Sequence, residues 1–423
     1  MLSGLLIEEP QKISENRSYP ILRFTPNLIC NRDDFLLAKR SDVMQGKMDS
    51  QRIVIAVDLD YFFAQCEEVR NPELKKIPVV ICVFSGRTEI SGAVSTANYV
   101  ARKLGVRSGM PIANAKKLLS QNKESVFLPV DQDYYQTVSE RLMQTIRSFS
   151  AIFEQVSVDE AFIDISAVTG TDFEAAAKLG KTVKEEIYRQ ENLTCSVGIG
   201  PNKLIAKMAA DYEKPDGLTI IRPNQVKVFL NPMPVRKLLG IGPKHEQKME
   251  QLGISTIEDL SKFDTGALSD AFGKNLGPHF KNLAQGLDDD PVRQRSVEQL
   301  SRIVTLKEDA DSFWFEEDLR PLAADISDRL VSLGLKCRSI GIIGITSELK
   351  TRNRAKTLTH PINSSELILR NSAELFRDLF SSLATEHVRL RRAGIRVSAL
   401  SSEELGEEEE SEEQSTLTSF LSS

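Results

Sequence analysis

No apolar run in the 423-residue chain approaches the roughly 20 positions needed to cross a bilayer. The longest runs, such as Ile53–Val57, have the length of strands, so no membrane segment is expected. The opening residues 1–7 meet Glu8 and Glu9 too early to make a signal peptide. Cysteine is sparse and unpaired: Cys30, Cys66, Cys82, Cys195 and Cys337 are odd in number, far apart, and never spaced as Cys-x-x-Cys. That excludes a zinc site recognisable from sequence or a disulfide scaffold, and fits a reducing, cytoplasmic setting. With only four His, an imidazole-based metal centre is not expected either. An overall basic excess is missing too, since the formal net charge is −6. That deficit is local. Residues 401–423 hold eight Glu and no Lys, Arg or Asp, which leaves +1 for residues 1–48 and +1 for everything between. The acidity belongs to the tail, so a polyanionic partner for the body stays open.

The remaining composition, 41% hydrophobic and 27% charged, is that of a globular protein, and the length suits two to four domains. Residues 1–48 have no sustained period and read as a flexible extension. From residue 52 strands and helices alternate. Strands are expected at Ile53–Val57, Pro78–Phe84 and Thr194–Ile199, with a hairpin over Phe153–Ile165. Helices are expected at Thr96–Leu104, 111–120, 133–149, 171–190 and Lys203–Tyr212, with Gly105 placed to end the first. Residues 225–286 read as short helices punctuated by glycine, and the charged segment 287–295 as a linker. Residues 302–399 follow the order β-α-β-β-α-β, which suits an α+β sandwich of ferredoxin-like type, with Pro321 able to kink its first helix. Residues 401–413 are too acidic to fold.

Six local patterns carry chemistry. In Asp58-Leu59-Asp60-Tyr61-Phe62-Phe63 a carboxylate ends an apolar strand, where it needs a cation or a donor. Asp159 and Glu160 are adjacent, and both reach one site only at a strand end or turn. Carboxylates from separate strands, without His or Cys, make a hard oxygen donor set that suits Mg²⁺ bridging phosphates; solvated turn acids would give the same local pattern. Thr96, Tyr99 and Arg102 recur every third residue, so on a helix they share a face that could hold a triphosphate. Lys214 precedes Pro215-Asp216-Gly217, a turn closing a helix, from which it could reach a phosphate. In Gly240-Ile241-Gly242-Pro243-Lys244, glycines between short helices free backbone N–H groups for nucleic-acid phosphates. Arg352, Arg354 and Lys356, two apart on a strand, form a basic stripe that could track a DNA backbone; Arg389, Arg391, Arg392 and Arg396 add to the basic content.

Taken in order, Asp-Leu-Asp-Tyr-Phe-Phe-Ala at 58–64, Ser-Thr-Ala-Asn-Tyr-Val-Ala-Arg at 95–102, Ser-Val-Asp-Glu-Ala-Phe at 157–162, Val-Gly-Ile-Gly-Pro-Asn-Lys at 197–203 and Lys-Pro-Asp-Gly at 214–217 resemble the Y-family DNA polymerases, in their archaeal, DinB-type branch. The resemblance runs from about Asp49 to Leu400. It implies an α+β multidomain fold: palm (49–61 and 128–222), fingers (62–127), an all-helical thumb with a helix-hairpin-helix (223–287), a linker (288–298) and a β-α-β-β-α-β little finger (299–400). It implies template-directed, low-fidelity addition of deoxynucleotides to a primer 3′ end past damaged bases, catalysed with two Mg²⁺ ions. Asp58, Asp159 and the Leu59 carbonyl would hold the metals, and Glu160 would complete the acidic cluster. Thr96, Tyr99, Arg102 and Lys214 would bind the triphosphate, and Phe63, in place of the more usual Tyr, would exclude a 2′-hydroxyl. Gly240, Gly242, Lys244, Arg352, Arg354 and Lys356 would contact DNA, and Ala93 and Gly109 would line an open roof over the nascent pair. Asp60 reads as structural. Glu298-Gln299-Leu300-Ser301 departs from the family's Lys-Ser-Ile-Gly, which puts one backbone contact in doubt.

The tail, 401–423, ends Gln414-Ser415-Thr416-Leu417-Thr418-Ser419-Phe420-Leu421, which resembles a sliding-clamp-binding box with Gln414, Leu417, Phe420 and Leu421 as anchors. A monomer away from DNA is expected. Two alternatives remain: a catalytically inactive polymerase-like DNA-binding protein, which loss of any of the three acids would favour, and another palm enzyme such as a nucleotide cyclase, which would need neither hairpin nor basic last domain.

Overall fold

The computed structural model describes residues 52–122, 124–383 and 388–402. The expected N-terminal extension, Cys30 and the clamp-binding box lie outside the described residues. The chain divides into two compact units, one ending at Val297 and the other beginning at Glu298.

The first unit is built on strand β1 (Val54–Leu59), whose six residues are all buried. Helix α1 (Phe62–Arg70) follows, then β2 (Val79–Phe84), β3 (Gly92–Ala97), and short helices α2 (Tyr99–Lys103) and α3 (Ile112–Leu118). Next come β4 (Val126–Pro129), α4 (Gln132–Arg147), β5 (Ile152–Gln155), β6 (Glu160–Asp164), α5 (Phe173–Glu191), β7 (Cys195–Gly200), α6 (Lys203–Ala210) and β8 (Leu218–Ile220). Five strands form a sheet in the order β5-β6-β1-β7-β8, with β1 antiparallel to both β6 and β7. Strands β3-β2-β4 form a smaller sheet. The four-residue strand β4 and the three-residue strand β8 had no alternating apolar signal of their own; each is held by one parallel partner, β2 and β7 respectively.

Alternation along β1 assigns its two faces. Ile55, Val57 and Leu59 join a core with Val138, Leu142 and Ile146 of α4 and Val183 and Ile187 of α5. The periodicity read from α4 therefore marks its buried face. Val54 and Ala56 point the other way, against Ala206 and Ala210 of α6. That second layer is thin because glycine permits it: a Cβ on Gly198 would lie 2.0 Å from the Ala206 carbonyl. The close approach sets α6 directly over the row that Asp58 ends.

Helices α7 (Val226–Leu230), α8 (Pro243–Gln251), α9 (Ile257–Lys262), α10 (Thr265–Phe272) and α11 (Leu276–Ala284) form an all-helical layer whose core is completed by Leu204, Ile205, Met208 and Ala209 of α6. The segment read as a linker begins as something else. Glu154 on β5, 1% exposed, accepts from Lys203, from Arg295 and from the Arg293 backbone. Lys203 also pairs with Asp290, the Leu204 N–H donates to Asp288, and Val292 is buried against the α6 face. Residues 288–295 are thus strapped onto the five-stranded sheet.

The second unit contains β9 (Gln299–Ala310), α12 (Glu316–Ser332), β10 (Leu335–Thr346), β11 (Thr351–Ile362), α13 (Ser365–Leu383) and β12 (Leu390–Ser402), which is the order expected. Its sheet runs β11-β10-β12-β9 with every pairing antiparallel. Each helix therefore joins strands separated by a third: β12 splits β9 from β10, and β10 splits β11 from β12. The split crossovers are those of the expected class, but which strand does the splitting is a long-range pairing with no local signature. Pro321 sits in the first turns of α12, whose first-turn acids Glu316, Glu317 and Asp318 favour the helix N-terminus.

Candidate active site

Asp58 is the one carboxylate of β1, and in register it faces Glu160 on β6 and Ser196 on β7. Asp159 sits just before β6, in the turn of the hairpin, where its carbonyl accepts the Leu59 N–H at 2.9 Å. The strand end, rather than a regular strand, is what lets adjacent acids serve one site. Above them α6 supplies Lys207. Its ammonium pairs with Asp58, with Glu160 at 3.1 Å and with Asp211 at 3.6 Å. Lys214 reaches Asp58 and Asp211, each at 2.7 Å.

The electrostatics follow from burial. The Asp159 carboxyl is held above its ordinary range chiefly by desolvation; the Ser157 hydroxyl, which donates to it, pulls the other way, and the Asp58 charge pushes further. Glu160 is likewise raised by burial, against the opposing pull of Lys207. Burial alone would lower Lys207, yet Asp58, Glu160 and Asp211 outweigh it and hold its ammonium above the usual lysine range. Lys214 behaves in the same way beside Asp58 and Asp211.

Asp60 has a separate task. Only 1% exposed, its carboxylate accepts from the Thr194 and Ser196 hydroxyls and from the Asp216 N–H, at 2.8–2.9 Å. It ties β7 to the turn that carries Lys214, and so is structural, as read.

A cleft of about 310 Å³ opens beside these groups, lined by Asp58, Leu59, Phe63, Thr96, Tyr99, Arg102, Asp159 and Lys214, together with Tyr61, Phe62, Ser95 and Ser108. All the residues expected for metal, triphosphate and sugar thus meet in one cavity, save Glu160, which joins through Lys207. One expectation about local structure is corrected. Thr96 is not on a helix with Tyr99 and Arg102; it lies in β3, paired opposite Ile81. Asn98, in extended conformation, ends the strand and caps α2 by accepting the Ala101 N–H, so the helix starts three residues later than expected. The cluster survives because Arg102 folds back: its Nη2 donates to Thr96 Oγ1 at 3.1 Å and its Nε to the Ala97 carbonyl at 2.8 Å. Its guanidinium carbon lies 5.1 Å from the Tyr99 ring centroid. Lys207, Ser95, Ser108 and Tyr61 were missed; Lys207 was visible only as the fifth residue of a helix after Gly-Ile-Gly-Pro-Asn.

The cleft thus sets Asp58 and Asp159 beside Lys214, with Arg102 braced on Thr96 in the same lining. Among the described residues no three His, Cys, Asp or Glu side chains converge closely enough to cage an ion unaided. The donors nonetheless fit a hard divalent cation: all are carboxylate or carbonyl oxygens, and the ammonium that Asp58 and Glu160 share already satisfies those two with positive charge. Buried cysteines offer no rival chemistry, since desolvation pushes the Cys82 and Cys195 thiols up to about 12 and the Cys337 thiol up to about 11.

Elsewhere, Gly240 adopts φ +84° and Gly242 is the N-cap of α8, leaving Lys244 exposed on its first turn. Only a single 3₁₀ turn, Val235–Lys237, precedes the glycines where a helix was expected. In the second unit Arg352, Arg354 and Lys356 do share a side of β11, but that side faces α13: Lys356 pairs with Glu374 at 2.6 Å and Arg354 donates to Ser382 at 3.0 Å. By register, Arg392 and Arg396 of β12 take the opposite, open face. Ala93 and Gly109 do not line the cleft; Ala93 pairs with Val83 and bridges to Pro111.

A carboxylate cluster at the end of an antiparallel-centred five-stranded sheet, a cleft that adds Arg102 and Lys214 to it, and an adjoining all-helical layer suit a nucleotidyltransferase of the polymerase class. Residues 57–211 match the impB/mucB/samB family, residues 297–417 its C-terminal domain, and residues 236–288 the DNA polymerase-iota thumb domain. DNA polymerase IV 1 of Methanosarcina mazei is 46% identical over 357 residues, covering 83% of this chain and 96% of that protein. A solved Y-family DNA polymerase chimera superposes with a TM-score of 0.75 at 34% identity, over 83% of this chain and 99% of the other. An insertion ternary complex of Dbh DNA polymerase gives a TM-score of 0.61, also at 34% identity, over 82% and 98%. The chain therefore belongs to the Y family of DNA polymerases. It is a DNA-directed DNA polymerase of the translesion type, and the inactive alternative falls away.

Proposed function

We propose that the cleft is the polymerisation site and that it works with two Mg²⁺ ions held by Asp58, Asp159, the Leu59 carbonyl and Glu160. The observation that carries this reading is the convergence in one cavity of Asp58 and Asp159 with Arg102 and Lys214, Glu160 being joined to Asp58 through Lys207. Bound there, divalent metal would supply Lewis-acid stabilisation of charge on the transferring phosphoryl group. The chain's own residues do the rest. Arg102, braced on Thr96 and the Ala97 carbonyl, presents its guanidinium to the triphosphate. Tyr99 and Thr96 add hydroxyl donors, and Lys214, which sits against Asp58, neutralises phosphate charge beside the acids. The Phe63 ring lies under the sugar and excludes a 2′-hydroxyl. Lys207 bridges Asp58 and Glu160 and so fixes their mutual position.

Primer-template DNA and deoxynucleoside triphosphates are the substrates. In the thumb, Gly240, Gly242 and Lys244 are read as contacts to backbone phosphates. In the little finger, Arg352, Arg354 and Lys356 keep that reading, with Arg392 and Arg396 on the opposite face of the same sheet. The palm is assigned to 49–61 and 128–222, the fingers to 62–127, the thumb to 223–287 and the little finger to 299–400. The protein is read as a cytoplasmic monomer that a sliding clamp tethers through Gln414, Leu417, Phe420 and Leu421. Primer extension on an undamaged and a lesion-bearing template, with and without Mg²⁺, tests the assignment. Extension that persists in Asp58→Ala and Asp159→Ala variants would overturn it.

A further inference from the structure

Helix α1 aligns Phe63, Glu67 and Arg70 on one face, at positions i, i+4 and i+7. Each of the three meets the first turn of α4. The Phe63 ring stacks on Tyr135, with centroids 4.4 Å apart and planes 12° from parallel. The Tyr135 hydroxyl donates to Glu67 Oε1 at 2.9 Å. Arg70 bonds Asp131 at 2.9 Å and lies 3.3 Å from the Tyr134 ring centroid, while Asp131 caps α4 by accepting the Tyr134 N–H. Phe62 closes the remaining side, tilted against both Phe63 and Tyr135. Tyr135 has no exposed surface at all.

Phe63 therefore has two unlike faces: one side lines the cleft, and the other rests on a buried aromatic plate pinned at its far end. A ring excludes a hydroxyl only if it cannot retreat, because an exposed aromatic side chain relieves an overlap by rotating about χ1 and χ2. A close-packed wall behind it removes that escape, since protein interiors compress little. We propose that Tyr135 is a positioning residue for sugar selection, the wall that keeps Phe63 from tilting away from a ribonucleotide's 2′-hydroxyl. The α1–α4 clamp of Glu67, Arg70 and Asp131 holds that wall in place. This inference rests on the reading of Phe63 as the sugar-excluding residue, and goes beyond it by naming what makes that exclusion stiff.

The test is the ratio of kcat/KM for a deoxynucleotide to that for the matching ribonucleotide, measured on the full chain by single-nucleotide insertion. Tyr135→Leu fills part of the space but offers no plane, and should lower the ratio by about tenfold or more through the ribonucleotide value, a range set by discrimination against one added group. Tyr135→Phe keeps the plane and loses only the bond to Glu67, and should stay within about twofold of the parent ratio. In a Phe63→Ala background Tyr135→Leu should change nothing further, because there is no ring left to support. Should Tyr135→Leu fail to fold, as judged by melting, Tyr135→Met is measured in its place. If Phe63→Ala admits ribonucleotides while Tyr135→Leu or Tyr135→Met keeps the parent ratio, the wall is refuted and the gate stands. If either depresses both substrates equally, Tyr135 is merely structural and the inference fails. If Phe63→Ala itself leaves the ratio unchanged, the gate reading falls and the wall with it.

Discussion

Asp159→Asn keeps the shape of the side chain and removes one negative charge from the cleft. The fold has little to lose, because burial already holds that carboxyl above its ordinary range. The chemistry has much to lose, because several kcal/mol of transition-state charge stabilisation corresponds to about 10³-fold in rate. We expect single-nucleotide insertion to fall by about that factor, with melting temperature and primer-template affinity near those of the parent; near-normal insertion by the folded variant would remove Asp159 from the site. Phe63→Ala should open the sugar side and raise ribonucleotide insertion, read as the deoxy-to-ribo ratio of kcat/KM. The acids were legible as residue types, since hard oxygen donors at strand ends are costly without a partner, and Arg102 as a cation beside hydroxyls, whereas Phe63 was legible only through the resemblance. Lys207 was not legible. A lysine inside a helix has no sequence mark of pointing at two carboxylates, and only the close approach of α6 at Gly198 gives it that direction.

Elements with strong periodicity, such as α4 and α5, were legible because their apolar faces alone specify them. Boundaries set by capping were less so: Asn98 moved the start of α2 from Thr96 to Tyr99 through one side-chain hydrogen bond. The segment 288–295 misled for another reason. Its aspartates and arginines read as solvated linker, yet they complete a buried ion network around Glu154 whose partners lie more than a hundred residues away. Glu154 would be raised by burial, but Lys203, Arg295 and the Arg293 N–H outweigh that and hold it below the ordinary carboxylate value of 4.5. A carboxyl lowered on folding stabilises the native state above its unfolded value and loses that contribution as pH falls through the folded one. The strap should therefore weaken below pH ~4.5. Glu154→Gln should lose this acid-dependent component and, by leaving Lys203 poorly compensated, cost about 3 kcal/mol near neutral pH. Thermal melts of both proteins from pH 3 to 7 check it; parallel curves would mean the network contributes no pH-dependent stability.

At the scale of the molecule, the distribution of charge decides how the tail can act. The eight glutamates of residues 401–423 repel the same polyanion that the body must hold, so they cannot assist DNA binding. What their charge can do is keep DNA away from the box that follows them in sequence. Leu417, Phe420 and Leu421 could bury a few hundred Å² in a clamp pocket, which at ~25 cal/mol/Å² amounts to several kcal/mol before ordering costs. Fixing a free peptide removes much of that, leaving roughly micromolar affinity, with Phe420 as the aromatic anchor. An affinity in that range is useful only through tethering, where it raises the local concentration of polymerase at the primer end. Phe420→Ala, or removal of residues 414–423, should therefore leave distributive synthesis on bare primer-template unchanged. The same variants should lose the stimulation that a loaded sliding clamp gives the full chain. Full stimulation of the truncated chain, measured as product length per binding event, would move the tether elsewhere, with the open basic face of the little finger as the next surface to mutate.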